Sequence, residues 1–393
     1  MEKDFHFYCV AVLARAAGLN NRDALAIAYA SQYVDDAIED QSFIVKIDGK
    51  RVDYKDFHPT TTSHSSSQAI MTGLVYDIAA QNIIWVPFHF PPGEFSTVEN
   101  QDTASLYVTK GDSACVEWYL DESIQERNEL LRLCRVGIAL HAYADAWAHE
   151  GFSGRDDMEN DVQDLYLFAL GTNKWKSISL LDKFGTGTFP RIGHVRAGHV
   201  PDLPHLKWKC KLGGAEVVRD NTEHSLNAAK SIYGHLRRMR ESFVDYEIDP
   251  LLLARGKKAE SISWEDLEPQ VRRLFRGRKA FSVFDSTEKD LEEACRKWER
   301  RFGHWFQPYY YPVYMDPEDA RGKPLYHYDV LDCRKDVFVK FDWNHYSGVP
   351  GIHESKKDLA GFTESFWYNF HTAAMLHWEL VHESLRDLTL VKG

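Results

Sequence analysis

Residues 140–154 read LHAYADAWAHEGFSG, and how this stretch is taken decides the fold. Alanine and leucine dominate it, and both favour helix. His141, Asp145 and His149 stand at i, i+4 and i+8. At 100° per residue they spread over about 80° of a helix, so three side chains of ligand type converge. Imidazole nitrogen and carboxylate oxygen are the donors that zinc, manganese, iron or magnesium accept. The plainer alternative is the wet face of a helix, but Leu140, Ala142, Ala144 and Ala148 leave little else there to solvate.

Outward from that helix the chain reads as mostly helical. An apolar helix over 5–18 stops at Gly18, and another runs from Asn21 to Tyr33. Helical patterns follow over 64–80, 121–152, 221–245 and 362–388. Residues 41–60 look like a small hairpin turning at Asp48-Gly49. The Gly-, Pro- and His-rich stretch 171–208 reads as an ordered loop. From 246 to 305 the pattern is helical and highly charged, and from 306 to 360 it is aromatic and irregular. With no repeat and no linker, the expectation is an all-α chain. It would be a single large helical domain over 1–393, with a central metal site, a core of 1–245 and 362–388, and an insertion at 246–361.

Further constellations carry ligand chemistry. Asp35, Asp36, Glu39 and Asp40 put four carboxylates within six residues, which repel unless solvated or neutralised by a cation. Spaced acids of this kind can bridge magnesium to a diphosphate. The loop FPRIGHVRAGHVPDLP offers His194, His199 and Asp202. Asp220 and Asn221 follow Arg219 and can cap a helix or bind metal. Asp4, His6 and His64 are ligand candidates that spacing alone does not promote. His371 and His377 cannot share a helical face, and His89 sits among aromatics; buried structural roles are expected for all three.

Composition narrows the classes. The chain has 393 residues, and 47 basic against 59 acidic side chains give a net charge of −12. That field repels nucleic acid, and an anionic small molecule would need metal ions to neutralise it locally. The six cysteines lack C-x-x-C spacing, which points to free thiols in a reducing compartment. Arg15 and an acidic start break any signal-peptide pattern, and no apolar run has membrane length. A cytoplasmic protein without a membrane partner is expected. No G-x-S-x-G, P-loop or dinucleotide fingerprint appears.

The motifs DFHFYCVAVLARAAGL, AIAYASQYVDDAIED, VPFHFPP, GIALHAYADAWAHEGFSG, IGHVRAGHVPDLPHLKW and FHTAAMLHW together resemble a bacterial and fungal family catalogued as a domain of unknown function. The arrangement also resembles, distantly, zinc-dependent phospholipase C and the single-strand nucleases. Those all-helical enzymes hold a metal cluster with an H-x-x-x-D helix, further histidines and an N-terminal residue. Here Met1 stands where their processed tryptophan would, so Asp4 or His6 is expected to replace that ligand. The chain is similar as well to fungal humulene synthases unrelated in sequence to ordinary terpene synthases. That resemblance implies a magnesium cluster and a lysine binding farnesyl diphosphate, for which Lys230 is the candidate, beside Leu226 and Tyr233 on its helix.

Two enzymes are therefore expected ahead of a non-catalytic metal-binding protein. The first is a sesquiterpene cyclase. Asp35, Asp36 and the His141/Asp145/His149 face would hold magnesium, Lys230 and Arg219 would add charge, and aromatic residues would shelter the carbocation. The second is a metal-dependent phosphoesterase using the same cluster to activate water. Histidine richness favours the second, because imidazole is not a preferred magnesium ligand, but the missing secretion signal counts against it. Aromatic abundance, intracellular character and the acidic cluster favour the cyclase, which is the expectation, with the phosphoesterase as the alternative. Magnesium is expected first, with zinc or manganese open, and the substrate is a small phosphate or prenyl diphosphate. The oligomeric state is left open.

Overall fold

The chain enters through a π-helical turn, Asp4–Cys9, that runs into α1 (Val10–Ala16). Asn20 then accepts the Asp23 N–H at 2.9 Å and starts α2 (Asn21–Tyr33). Six further long helices follow among the residues described by the computed structural model. These are α3 (Ala114–Ile124), α4 (Glu129–Ala148), α5 (Asn221–Ser242), α6 (Trp264–Arg276), α7 (Glu288–Phe302) and α8 (Phe366–Ser384). The described residues are 1–39, 44–52, 59–63, 78–101, 103–169, 171–178, 189–242, 262–278, 288–306, 312–316, 318, 323–340 and 352–386.

α4 is the central element, because α2, α3, α5 and α8 all pack on it. Its last four turns are buried nearly all round, as its small and apolar composition allows. Gly137 sets the approach of α2: a Cβ there would lie 2.5 Å from the Ala30 Cβ and from the Ile27 carbonyl oxygen. That closeness brings the His141 ring within 2.8 Å of the Ser31 carbonyl.

Two four-stranded sheets overturn the all-α expectation; the protein is an α/β mixture. The first has the order β2-β1-β8-β7, from β1 (Ile44–Ile47), β2 (Lys50–Arg51), β7 (Phe338–Lys340) and β8 (Ile352–Ser355). β1 and β2 form the expected hairpin, with Asp48 at φ 50° and Gly49 at φ 72°, the pair of positive angles that a two-residue turn demands. The mixed character comes from β8, which lies parallel to β1 and antiparallel to β7. The second sheet is antiparallel, in the order β4-β3-β5-β6. Its strands are β3 (Val162–Ala169), β4 (Lys174–Ser177), β5 (Lys207–Leu212) and β6 (Ala215–Asp220). The stretch expected as a loop thus holds β4 and the start of β5. Period-two alternation in KWKCKL buries Trp208, Cys210 and Leu212 while the lysines stay at the surface or half-buried.

One hydrophobic cluster runs from Met1 to Val381, and the charged and aromatic segment 246–361 contributes to it through Leu267, Trp298, Tyr326 and Val337. The same segment brings Arg334 to Glu39, and both side chains are buried. Burial opposes ionisation of Glu39, but the guanidinium outweighs it and holds the carboxyl at about 2. Arg334→Met should strand that charge and destabilise the fold by about 3–5 kcal/mol. Urea titration of wild type and variant measures it, and a loss under about 1 kcal/mol would contradict it. No helix among the described residues is long and apolar enough to cross a membrane. All six cysteines are buried and unpaired.

Candidate metal centre

Three groups of ligand-type side chains meet where the π-helical turn Asp4–Cys9, the end of α2, a second π-helical segment (Gln81–His89), the end of α4 and the loop 194–202 converge. The groups are His6, His141 and Asp145; Asp35, His89 and His141; and His149, His194 and Asp202. Within each, one donor atom per residue lies within 4.8 Å of the others. π-helical turns are rare and frequent at functional sites, and two of them deliver His6 and His89 here.

Asp145 is the hub. Its Oδ1 meets the Met1 amine and lies 3.2 Å from His6 Nε2. Its Oδ2 lies 3.2 Å from His141 Nε2 and 3.4 Å from His89 Nδ1. Asp35 Oδ1 stands 3.7 Å from His141 Nε2 and 3.9 Å from His89 Nδ1. In the third group, Asp202 Oδ1 is 2.9 Å from His149 Nε2, and its Oδ2 is 3.3 Å from His194 Nε2. The Met1 amine, 3.2 Å from Asp202 Oδ1, links the third group to the hub.

Four imidazoles have their tautomers fixed from behind. His141 Nδ1 faces the Ser31 carbonyl at 2.8 Å, His89 Nε2 that of Thr62 at 2.9 Å, His149 Nδ1 that of His89 at 2.7 Å, and His194 Nδ1 that of Gly198 at 2.8 Å. A carbonyl only accepts, so each of those nitrogens carries a proton, and in the neutral ring the other nitrogen presents its lone pair on the carboxylate side. This is how proteins orient metal-binding histidines. His6 is fully buried, and neither ring nitrogen makes a hydrogen bond; its ring stacks on His141 with centroids 3.9 Å apart. A buried imidazole without a hydrogen bond beside a shared carboxylate fits a coordinating cation.

At His6, His141, His194, Asp145 and Asp202 the electrostatics agree with that fit. At Asp35 burial raises the carboxyl instead, and at His89 burial is outweighed by the hydrogen bond to Asp145 and the Asp35 charge, which raise the imidazole. Burial drives His6 down to about 4 against the pull of Asp145, and burial with His6 as neighbour does the same to His141. Burial likewise holds His194 at about 4, against Asp202. Burial also opposes ionisation of Asp145, but the Met1 amine and the imidazoles around it carry its carboxyl well below the usual range. The amine is raised to about 11, because Asp145 and Asp202 overcome its own burial. Neutral imidazoles and ionised carboxylates are the forms that bind metal.

Of the residues singled out in the sequence, His6, Asp35, His141, Asp145, His149, His194 and Asp202 come together. His149 does so from the capping position after α4, with its N–H still bonded to the Asp145 carbonyl at 2.7 Å. Asp36 turns away and accepts from Tyr328 Oη at 2.7 Å and Gln32 Nε2 at 3.1 Å. Asp4 is buried beside Arg278, 3.6 Å away. His199 lies in the loop outside the groups, its carbonyl accepting the Asp202 N–H. Asp220 accepts the Thr222 N–H at the start of α5, and the Asn221 amide bonds loop carbonyls, so both are corrected from ligand to structural partners. Arg219 is buried and donates to the Ala148 and Glu150 carbonyls, closing the C-terminal end of α4. Lys230 is exposed at the rim of the apolar face of α5, where its amine reaches water, while Leu226 and Tyr233 point inward. His64 and Asp40 lie outside the described residues.

Two participants escape a spacing argument. His89 was expected to be structural, yet its Nδ1 joins Asp35 and His141, delivered by a π-helical segment that no periodicity announces. The backbone amine of Met1 has no side-chain signal at all. DUF6765, described as a family of unknown function, matches residues 1–385. The chain belongs to this family. The DUF6765 match runs through 246–361 as well, the segment set apart in the sequence as an insertion. No curated protein and no solved structure matches the chain.

Proposed function

We propose that this protein is a metal-dependent phosphoesterase acting on a small phosphate ester, with zinc as the metal. The observation that carries the reading is the set of four imidazoles fixed from behind by carbonyls and turned onto shared carboxylates. Imidazole-rich sites suit zinc, whereas magnesium prefers hard oxygen and few protein ligands. The first two groups share His141, whose Nδ1 is committed to Ser31 and whose one free lone pair, on Nε2, serves a single ion, so the fit is to two neighbouring ions. Asp145 offers one oxygen toward His6 and the other toward His89 and His141, while Asp202 serves His149 and His194. Such ions supply Lewis acidity to a phosphoryl group and a nucleophile from water at neutral pH. The residues of this chain would hold the charge balance through the carboxylates of Asp35, Asp145 and Asp202.

The prenyl-diphosphate reading loses support on three counts. The acidic run is divided among separate partners, Asp36 to Tyr328 and Glu39 to Arg334. Lys230 stands in solvent, and Arg219 is committed to α4. The test supplies the metal-stripped chain with zinc or magnesium and offers an aryl phosphodiester and farnesyl diphosphate. Hydrolysis that chelation abolishes and zinc restores is expected. A terpene product with magnesium, and no ester hydrolysis with either metal, would reverse the assignment. Tightly bound zinc with no turnover of either substrate would leave a binding protein.

A further inference from the structure

We propose that Asn221 is the positioning residue of the third ligand group, fixing the Asp202 carboxylate through the backbone on both sides of it. The inference rests on the metal reading above, but not on the reaction. Asn221 is 2% exposed at the first position of α5. Its Nδ2 donates to the carbonyls of Val200 at 2.7 Å, Pro201 at 3.2 Å and Leu203 at 3.0 Å. Two of those carbonyls belong to the immediate neighbours of Asp202. Its Oδ1 in turn accepts the Trp208 indole N–H at 2.7 Å, and its own N–H bonds the Leu206 carbonyl at 2.9 Å. The amide plane is therefore held by β5 and α5 while its two protons gather the loop.

The consequence for the site is geometric. Asp202 ends the short 3-10 turn Val200–Asp202, and its N–H is already spent on the His199 carbonyl at 3.1 Å. With Pro201 and Leu203 also tied, the side chain leaves the turn in one direction, toward His149 and His194. Aspartate at 221 keeps the volume but has no proton to give, and its charge would face three carbonyl oxygens. The turn would open and Asp202 would swing, whereas His6, His89, His141 and Asp145 hang on other elements.

The experiment strips the full chain of metal, titrates it with cobalt(II), and reads the visible absorption bands together with ions bound per chain by elemental analysis. Asn221→Asp should bind about one ion fewer than wild type and lose one set of bands, with an unchanged far-UV circular dichroism spectrum. Thr222→Val removes a different tie to the same loop, from Thr222 Oγ1 to the Pro204 carbonyl at 2.7 Å, and should keep the full complement. A full complement in Asn221→Asp overturns the proposal, and so does an equal loss in Thr222→Val, which would mark general loosening. If Asn221→Asp does not fold, Asn221→Ser, still able to donate one hydrogen bond, should weaken one cobalt site by roughly 10–100-fold, the range of outer-sphere changes; unchanged affinity overturns the proposal. Wild type that binds cobalt yet hydrolyses nothing would sink the phosphoesterase reading alone. Wild type that binds no ion would sink both.

Discussion

Asp145→Asn should empty most of the centre while leaving the chain folded. The substitution keeps nearly the same volume but removes the charge shared by the Met1 amine, His6, His89 and His141. One of its two oxygens becomes an amide nitrogen with no lone pair to offer. Several kcal/mol of transition-state stabilisation leave with the ions, so turnover of the phosphodiester should fall by about a thousandfold or more. The fold survives because the buried amine, held at about 11 largely by Asp145 and Asp202, can release its proton when one of them is neutral. Elemental analysis beside the hydrolysis rate decides the matter. A folded variant with wild-type metal content and wild-type turnover would refute the role of Asp145.

Acid should weaken the fold through histidines that bind no metal, and His377 isolates the effect. It is buried on α8, bonds the Pro87 carbonyl through Nε2 at 3.0 Å, and is pushed down to about 4 by burial. Unfolded, it returns to about 6.5, so between about pH 6.5 and 4 the unfolded state takes up the proton first. Stability from this group is full above that window and is lost as the pH falls across it. His377→Gln keeps an N–H for the Pro87 carbonyl and cannot be protonated. Relative to wild type it should therefore gain about 3 kcal/mol on going from pH 7 to pH 4, since each pKa unit is worth about 1.4 kcal/mol. Denaturant titrations at the two pH values measure the difference, and parallel losses in both proteins would refute it.

How much of this was legible depended on whether a pattern was local. The 3.6-residue period of α4 revealed His141 and Asp145, and loop punctuation exposed His194 and Asp202. Asp48-Gly49 announced its hairpin correctly. The second sheet was legible too, in the alternation of KWKCKL and the Gly213-Gly214 turn that follows it, but Gly, Pro and His richness nearby argued for a loop. β7 and β8 were hidden for a different reason: three or four residues each, they are strands only because β1 is there to pair with β8. His89 was hidden by π-helical geometry, and Asn221 was read as a ligand although its amide bonds loop carbonyls, since an amide in sequence does not say whether it faces a metal or a backbone.

The parallel pairing of Ile44–Lys46 with Ile352–Glu354 sets an order of events during synthesis. About three hundred residues separate the two strands, and at roughly 5–20 residues per second a ribosome needs about 15–60 seconds to make them. Through that interval the β1–β2 hairpin carries an open edge, the kind of surface that recruits foreign strands. The candidate ligands, by contrast, all lie between residues 1 and 202. Their set is complete in the nascent chain long before β8 emerges, so on the metal reading proposed above an ion bound there would hold the first half of the molecule together while its sheet waits to be closed.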